Sequence, residues 1–130
     1  MLPELMCLAL AVYYEARSEP LMGQVAVAEV VLNRAEDSRY PDTACEVVTQ
    51  GGTSRYRCQF SYYCDGKPEA PKHKHAWRRA VAIAKLAQNG VISAELSGAT
   101  HYHASYASPY WRNQFTHVST IGQHLFYTGH

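Results

Sequence analysis

The sequence predicts an α+β domain that is mostly helical and carries a small β-sheet. Three segments with apolar residues at helical spacing indicate long helices, and they cover residues 3–17, 22–35 and 70–89. Two short extended segments, near residues 100–103 and 124–127, follow the last of these helices. Helices and strands are therefore segregated along the chain, which favours α+β over an alternating α/β arrangement.

The first two helices differ in how much of their surface is apolar. The first has one apolar face, formed by Leu5, Leu8, Ala9 and Val12, and Pro3 is acceptable in its first turn. Pro20 disfavours helical backbone at Glu19 and separates the two helices. The second is apolar nearly all round, with Val25, Val27, Ala28, Val30, Val31 and Leu32, so we expect it to be central in the fold.

The remaining elements are shorter and are marked by turn and cap residues. Residues 37–41 indicate a turn, and Thr43 is expected to cap a short helix that runs to about Gln50. Residues 51–71 are rich in loop-forming residues, with a short strand predicted near 59–63. The third long helix should end at Asn89-Gly90, a sequence typical of a helix C-terminus.

Length and charge exclude several classes of protein. The chain has 130 residues, which predicts a single domain over 1–130, and we expect a monomer. Its formal net charge of +1 does not favour binding to nucleic acid or to a membrane surface. The sequence has no apolar stretch of membrane-spanning length. Residues 1–12 lack the basic start and the length of a signal peptide, which suggests a domain excised from a precursor or released by another route.

Basic residues cluster at one place in the sequence, and two interpretations of them stay open. The cluster comprises Lys72, Lys74, Arg78 and Arg79, at the beginning of the third long helix. It is either a solvated helix start or a weak contact to an anionic polymer.

Four cysteines allow three disulfide pairings. Cys45, Cys58 and Cys64 are close to a glycine-rich loop that would gain from a covalent link, so we predict a disulfide that uses at least two of them. Cys7 lies on or near the apolar face of the first helix and is expected to remain a buried thiol. No C-x-x-C pair is present, which disfavours a zinc ribbon.

Glu15 is the first candidate for chemistry. It lies near the end of an apolar helix beside Tyr13 and Tyr14, where desolvation would raise its pKa towards that of a general acid. A glutamate at a helix end is otherwise solvated and has no catalytic role. Glu19, four residues on, is displaced from helical register by Pro20 and is expected to form a salt bridge or a cap. Glu29 either points outward or faces the cleft.

Other polar side chains fit contacts to sugars. Gln59 and Ser61 flank Phe60 in a tyrosine-rich loop, and their amide and hydroxyl groups suit sugar hydroxyls and N-acetyl groups. His101 alternates with His103, so the two would share one face of a strand. The seven histidines contain no H-E-x-x-H pair, so we expect neither a metal nor another cofactor.

A series of motifs, read in order, matches one known family. The motifs are Glu15-Ala16-Arg17-Ser18-Glu19-Pro20, Gly23-Gln24-Val25-Ala26-Val27-Ala28, Val31-Leu32-Asn33-Arg34, Cys45-Glu46-Val47-Val48, Gln59-Phe60-Ser61, Ala99-Thr100-His101-Tyr102 and Ile121-Gly122-Gln123-His124-Leu125-Phe126-Tyr127. They cover nearly the whole chain, which therefore resembles the SleB/CwlJ-type cell-wall hydrolases. Ser18 departs from the glycine that this family usually has. Cys58 and Cys64 look like the Gram-negative or phage branch.

The resemblance implies a lysozyme-like fold, similar to that of lytic transglycosylases and resuscitation-promoting factors, with the catalytic glutamate at Glu15. It also implies peptidoglycan glycan strands as the substrate and action at the cell wall, in the periplasm or outside the cell. We expect lytic transglycosylation, which requires only one carboxylate, and we expect substrate contacts from Gln59, Ser61, His101 and Tyr102.

Two alternatives remain for the function. The first is a hydrolytic muramidase or glucosaminidase, which would use Glu19 or Glu29 as the second carboxylate. The second is a peptidoglycan-binding module without catalytic activity.

Overall fold

The computed structural model describes residues 3–50, 60, 71–90 and 98–129. These residues form α1 (Glu4–Ala16), α2 (Leu21–Glu36), α3 (Ala44–Val48), α4 (Lys74–Gln88), β1 (Ala99–Ala104), β2 (Thr116–Ile121) and β3 (His124–Thr128). A short 3₁₀ helix, Tyr110–Asn113, lies between β1 and β2. The predicted α+β class is confirmed. None of the helices in the described ranges is long and apolar enough to cross a bilayer.

Helix α1 is the most deeply buried element because nearly all of its side chains are apolar. Every residue from Cys7 to Tyr13 is buried, and α2, α3 and α4 all pack against the helix. Leu8 and Val12 have no exposed surface. Truncating side chains of this kind costs about 2–5 kcal/mol of folding free energy.

Helix α2 connects the helices to the sheet. It packs against α1, α3 and α4 and also against β1. Its residues Ala26 and Val30 form a small second cluster with Ala99 and Phe126 of the sheet. This position confirms the prediction that the nearly all-apolar helix is central.

The three strands form one antiparallel sheet in the order β1-β3-β2. Strands β1 and β3 were predicted, but β2 was not. Its residues are mostly polar, and those at 116, 117 and 120 are exposed, so no alternation of apolar side chains marks the strand. A strand at the edge of a sheet needs only one neighbour, and β3 supplies it across a tight turn.

Two of the predicted helix ends agree with the structure, and the predicted start of α4 differs from it. Thr43 Oγ1 accepts the N–H of Glu46 at 3.1 Å, and Gly90 adopts a positive φ of 86° after α4. Helix α4, however, begins at Lys74 rather than near residue 70. Directly before it, the hydroxyl of Tyr13 accepts the N–H groups of Lys72 and His73 at 3.1 and 2.9 Å.

The prediction that Cys7 remains a buried thiol needs a correction, whereas a bond between Cys58 and Cys64 stays a prediction. Cys7 is bonded to Cys45, so it is not a free thiol, and Cys45 does not pair with a loop cysteine. Packing explains the pairing, because α1 and α3 bring the two Cα atoms to 5.0 Å, within the range that a disulfide requires. Cys58 and Cys64 lie outside the described residues.

Candidate active site

Glu15 lies in the last turn of α1 and faces the sheet. The hydroxyl of Tyr102, on β1, donates a hydrogen bond of 2.5 Å to its Oε1. The structure thus joins two of the residues that the sequence selected, across 87 positions of the chain.

The surroundings of Glu15 favour its protonated form. Burial raises the pKa of its carboxyl group above the usual 4.5, which outweighs the opposing effects of the Tyr102 hydrogen bond and the Arg34 charge. The carboxyl group is therefore able to hold a proton at a higher pH than a solvated glutamate, as a general acid must. The same two neighbours would stabilise the carboxylate once the proton has left.

Arg34 is a buried cation close to this carboxyl group. Arg34 is only 3% exposed, and its Nε donates a hydrogen bond to the carbonyl of Thr100 at 2.6 Å. Its guanidinium lies 5.3 Å from the ring centroid of Tyr40 and 5.6 Å from that of Phe60. Burial lowers the pKa of Arg34, yet a guanidinium stays charged at neutral pH. Its charge is therefore available to Glu15.

Arg34 and its neighbour Asn33 also position β1. The side-chain amide of Asn33 donates to the carbonyl of Ala99 at 2.8 Å, next to the bond from Arg34 to Thr100. These two bonds fix the start of β1 on the end of α2 and so bring Tyr102 over Glu15. Reasoning from the sequence did not select Arg34 as a site residue; an arginine ending an apolar helix was the available signal.

Glu19 has a structural role, because it connects the segment after α1 to the turn between β2 and β3. Its Oε1 accepts the backbone N–H of Gln123 at 2.8 Å and lies 3.7 Å from Nδ1 of His124. Burial lowers the pKa of His124, although the Glu19 charge opposes this and the His103 charge adds to it. Glu29, in α2, is only 3% exposed, so it does not point outward into solvent.

His101 and Tyr102 lie on opposite faces of β1. Tyr102 faces Glu15, whereas His101 packs against the rings of Trp111 and Phe115, with centroids 5.1 and 4.4 Å away. Burial, together with the charges of Arg34 and Arg39, lowers the pKa of His101 to about 4, so its ring is neutral at pH 7.

His103 shares the face of His101, as predicted. It stacks on Tyr127, with ring centroids 5.3 Å apart, and bonds to the hydroxyl of that residue at 2.8 Å. This aromatic face is the side of the sheet opposite Tyr102.

The other two expected substrate contacts, Gln59 and Ser61, lie outside the described residues. The residue between them in the chain, Phe60, is buried, and its ring is close to the guanidinium of Arg34.

Among the described residues, Glu4, Cys7 and Cys45 have donor atoms near enough to share a metal ion. The two sulfur atoms are bonded to each other, so neither is a thiolate, and the Glu4 carboxylate accepts the N–H of Cys45 at 2.8 Å. This group is a structural link between α1 and α3.

Comparison with known proteins relates the chain to enzymes of the cell wall. It is 34% identical over 124 residues to a spore cortex-lytic enzyme of Halalkalibacterium halodurans, which covers 95% of this chain and 34% of that protein. It is 32% identical over 119 residues to a spore cortex-lytic enzyme of Bacillus subtilis, covering 92% and 35%. The chain thus spans about a third of the length of these relatives.

Solved structures give the same relationship. The catalytic domain of the Bacillus cereus SleB protein superposes with a TM-score of 0.71 at 28% identity, covering 96% of this chain and 89% of that one. The catalytic domain of the germination-specific lytic transglycosylase SleB from Bacillus anthracis gives a TM-score of 0.73 at 28% identity, covering 96% and 93%. The predicted lysozyme-like fold is therefore confirmed.

The sequence profile described as Cell Wall Hydrolase matches residues 18–127, beginning three positions after Glu15. This match extends over most of the described helices and the whole sheet. The chain belongs to the cell wall hydrolase family.

Proposed function

We propose that this chain cleaves peptidoglycan glycan strands by lytic transglycosylation between N-acetylmuramic acid and N-acetylglucosamine, with Glu15 as its acid and base. The observation that carries the proposal is the setting of Glu15, a carboxyl group with a raised pKa that contacts Tyr102 and lies near the cation of Arg34. The similarity to proteins described as cortex-lytic and lytic-transglycosylase enzymes supports the substrate class.

The reaction divides into two proton transfers at one carboxyl group. In the first, Glu15 gives its proton to the glycosidic oxygen as the bond from that oxygen to C1 of the muramoyl residue breaks. In the second, the C6 hydroxyl of the same muramoyl residue attacks C1, and its proton passes to the Glu15 carboxylate. The product is a 1,6-anhydro end, water is not consumed, and Glu15 is again protonated.

Tyr102 and Arg34 would stabilise the carboxylate between these two steps. Both lower the proton affinity of Glu15, so they assist release of the proton, while burial assists its recovery. An intramolecular hydroxyl has an effective concentration on the order of 10⁵ M or more when well oriented, so it competes with water without a second carboxylate. The engagement of Glu19 with the Gln123 N–H disfavours Glu19 as the second carboxylate of the hydrolytic alternative.

We keep four residues as proposed substrate contacts. Tyr102 has the strongest support because it touches Glu15. Gln59 and Ser61 are retained because they adjoin Phe60, whose ring is near Arg34. His101 could contact the glycan strand only from the aromatic face of the sheet. We also propose that the domain acts as a monomer at the cell wall.

The composition of the digestion products tests the mechanism. Purified sacculi are digested, and the muropeptides are analysed by mass spectrometry with and without borohydride reduction. Transglycosylation gives anhydro ends that are lighter by one water and resist reduction. Reducible ends without anhydro species would instead indicate hydrolysis. Sacculi that are bound but remain uncut would indicate a binding module.

A further inference from the structure

An open basic groove lies beside the end of α1 that carries Glu15. Its volume is about 630 Å³. One wall is formed by Arg17 and Ser18, directly after α1, and the other by residues 72–76 and Arg79 at the start of α4. The first residue of this lining, Arg17, is two positions after Glu15 in the chain, at the same end of α1.

The groove concentrates positive charge in a nearly neutral chain. Four of its lining residues carry permanent charge, namely Arg17, Lys72, Lys74 and Arg79, and none of the lining residues in the described ranges is a carboxylate. The whole chain has 12 Lys and Arg against 11 Asp and Glu. Within the described ranges, these four cations have no ion-pair partner.

Buried contacts hold the two walls together. Tyr13 is only 1% exposed, and its hydroxyl accepts the N–H groups of Lys72 and His73. The guanidinium of Arg17 lies 4.7 Å from the centroid of the same ring. One buried side chain thus fixes the spacing between the wall that follows α1 and the wall that begins α4.

The start of α4 adds to the positive potential. The first turn contains no acidic residue, and the side chain of His73, the N-cap residue, makes no capping hydrogen bond. Helix N-termini are themselves partly positive, so Lys74 lies at the less favourable end of a helix for a cation. A bound anion would relieve this repulsion and would find backbone N–H groups there.

We propose that this groove binds the carboxylates of peptide stems on the glycan strand that occupies the Glu15 site. This inference rests on the proposed function. Peptide stems are attached to the muramoyl residues and carry free carboxylates, so a stem that extends from the cleaved strand around the end of α1 would bring its carboxylates to the groove. The groove would make the domain prefer strands that carry stems, and the preference would weaken with salt.

The test measures binding without turnover. In the Glu15→Gln background, Lys72, Lys74 and Arg79 are changed together to glutamine. The control changes three exposed cations outside the groove, Arg78, Lys85 and Arg112, to glutamine, so that both variants have the same net charge. Binding to sedimented sacculi is measured at low ionic strength, with intact sacculi and with sacculi whose carboxylates have been amidated.

We expect the groove variant to bind intact sacculi roughly tenfold more weakly, as three partly screened charge pairs would give. The control should change binding by less than about twofold. Amidation of the sacculi should weaken binding of the parent Glu15→Gln protein by a similar factor. It should also remove the difference in binding between the groove variant and the control. A melting curve of each variant checks the fold, and Lys74→Gln alone replaces the triple change if that variant melts early.

Three results would overturn the inference. Equal weakening by groove and control changes would indicate a general effect of charge. If the groove variant still bound amidated sacculi more weakly than the control, the stem carboxylates would be excluded as the ligand of the groove. Competition by inorganic polyphosphate, with no effect of amidation, would assign the groove to phosphate polymers. Cleavage of sacculi by the wild-type chain is assayed separately, and its absence would contradict the proposed function, not the binding result.

Discussion

The carboxylate of Glu19 accepts the backbone N–H of Gln123, 104 positions away in the chain, at 2.8 Å. The bond joins the segment after α1 to the turn between β2 and β3. Gly122 lies so close that a Cβ there would come within 2.6 Å of Glu19 Oε1, and its φ is 58°, so glycine is required on two grounds. Glu19 therefore holds the sheet against the helices.

Glu19→Ala should destabilise the fold and Glu19→Gln should retain it. Alanine leaves the Gln123 N–H without its charged acceptor, a loss of about 2 kcal/mol of unfolding free energy. Glutamine keeps an oxygen at the same place. Chemical denaturation measures the difference. Activity in Glu19→Gln within about threefold of wild type is the expected result; complete loss of activity in a folded Glu19→Gln protein would make Glu19 a catalytic carboxylate.

Glu15→Gln should abolish lysis and raise the melting temperature at neutral pH. A general acid contributes about 10²–10⁴-fold to the rate, and glutamine has no proton to give. Because the folded-state pKa of Glu15 is raised, the native protein binds its proton more tightly than the unfolded chain does. Its contribution to stability is complete at acid pH and is lost as the pH rises from about 4.5 through the folded-state pKa.

The difference in melting temperature between Glu15→Gln and wild type should therefore grow as the pH rises above about 4.5 and level off above the folded-state pKa of Glu15. The exposed Glu36, at the end of α2, provides the control. Glu36→Gln should leave activity unchanged, and its melting temperature should not diverge from that of the wild type as the pH rises. Turbidity clearing of sacculi at the wild-type rate by the Glu15→Gln protein would exclude Glu15 as the acid.

Tyr102→Phe should shift the alkaline limb of the pH–activity profile to higher pH. The hydroxyl of Tyr102 donates to the Glu15 carboxylate and so lowers the pKa of Glu15; phenylalanine keeps the ring and removes that effect. The limb reports loss of the Glu15 proton, so it should move upward. Tyr127→Phe removes a tyrosine hydroxyl from the other face of the sheet and should leave the limb in place. A limb that does not move in Tyr102→Phe would contradict the assignment.

His101 should make the fold less stable in mild acid. Its folded-state pKa of about 4 lies below the ordinary 6.5, so the unfolded chain takes up its proton first as the pH falls. Stability is thus lost as the pH falls from about 6.5 to about 4 and then levels off. Melting temperatures of His101→Gln across this range should show a flatter profile. The exposed His117, changed in the same way, should retain the wild-type slope.

Removing the Cys7–Cys45 bond should destabilise the fold by roughly 2–4 kcal/mol, since it spans 38 positions and constrains the unfolded chain. The variant with both cysteines changed to alanine is compared with wild type in denaturant. The pairing itself is tested in a protein with Cys58→Ser and Cys64→Ser, made under oxidising conditions. That protein should have no free thiols when unfolded, and two free thiols would show that the bond does not form.

Much of the helical structure was predictable because its causes are local. Apolar side chains at helical spacing marked α1 and α2, Thr43 marked the start of α3, and Gly90 marked the end of α4. These features depend on residues within one or two helical turns. The start of α4 was misplaced, and the residues before it, Lys72 and His73, bond to Tyr13, about 60 positions away.

Within the site, the sequence alone selected Glu15 and Tyr102 but did not show that they touch. It determined the class of fold, the helix that carries Glu15 and the apolar character of that helix. Only the tertiary structure decided the pairing of Cys7 with Cys45, the polar edge strand β2, the engagement of Glu19 with Gln123 and the cation of Arg34 behind the carboxyl group. The physical reason is distance along the chain, because hydrogen bonds, charges and disulfides act between groups that meet only after α1, α2 and the sheet have packed together.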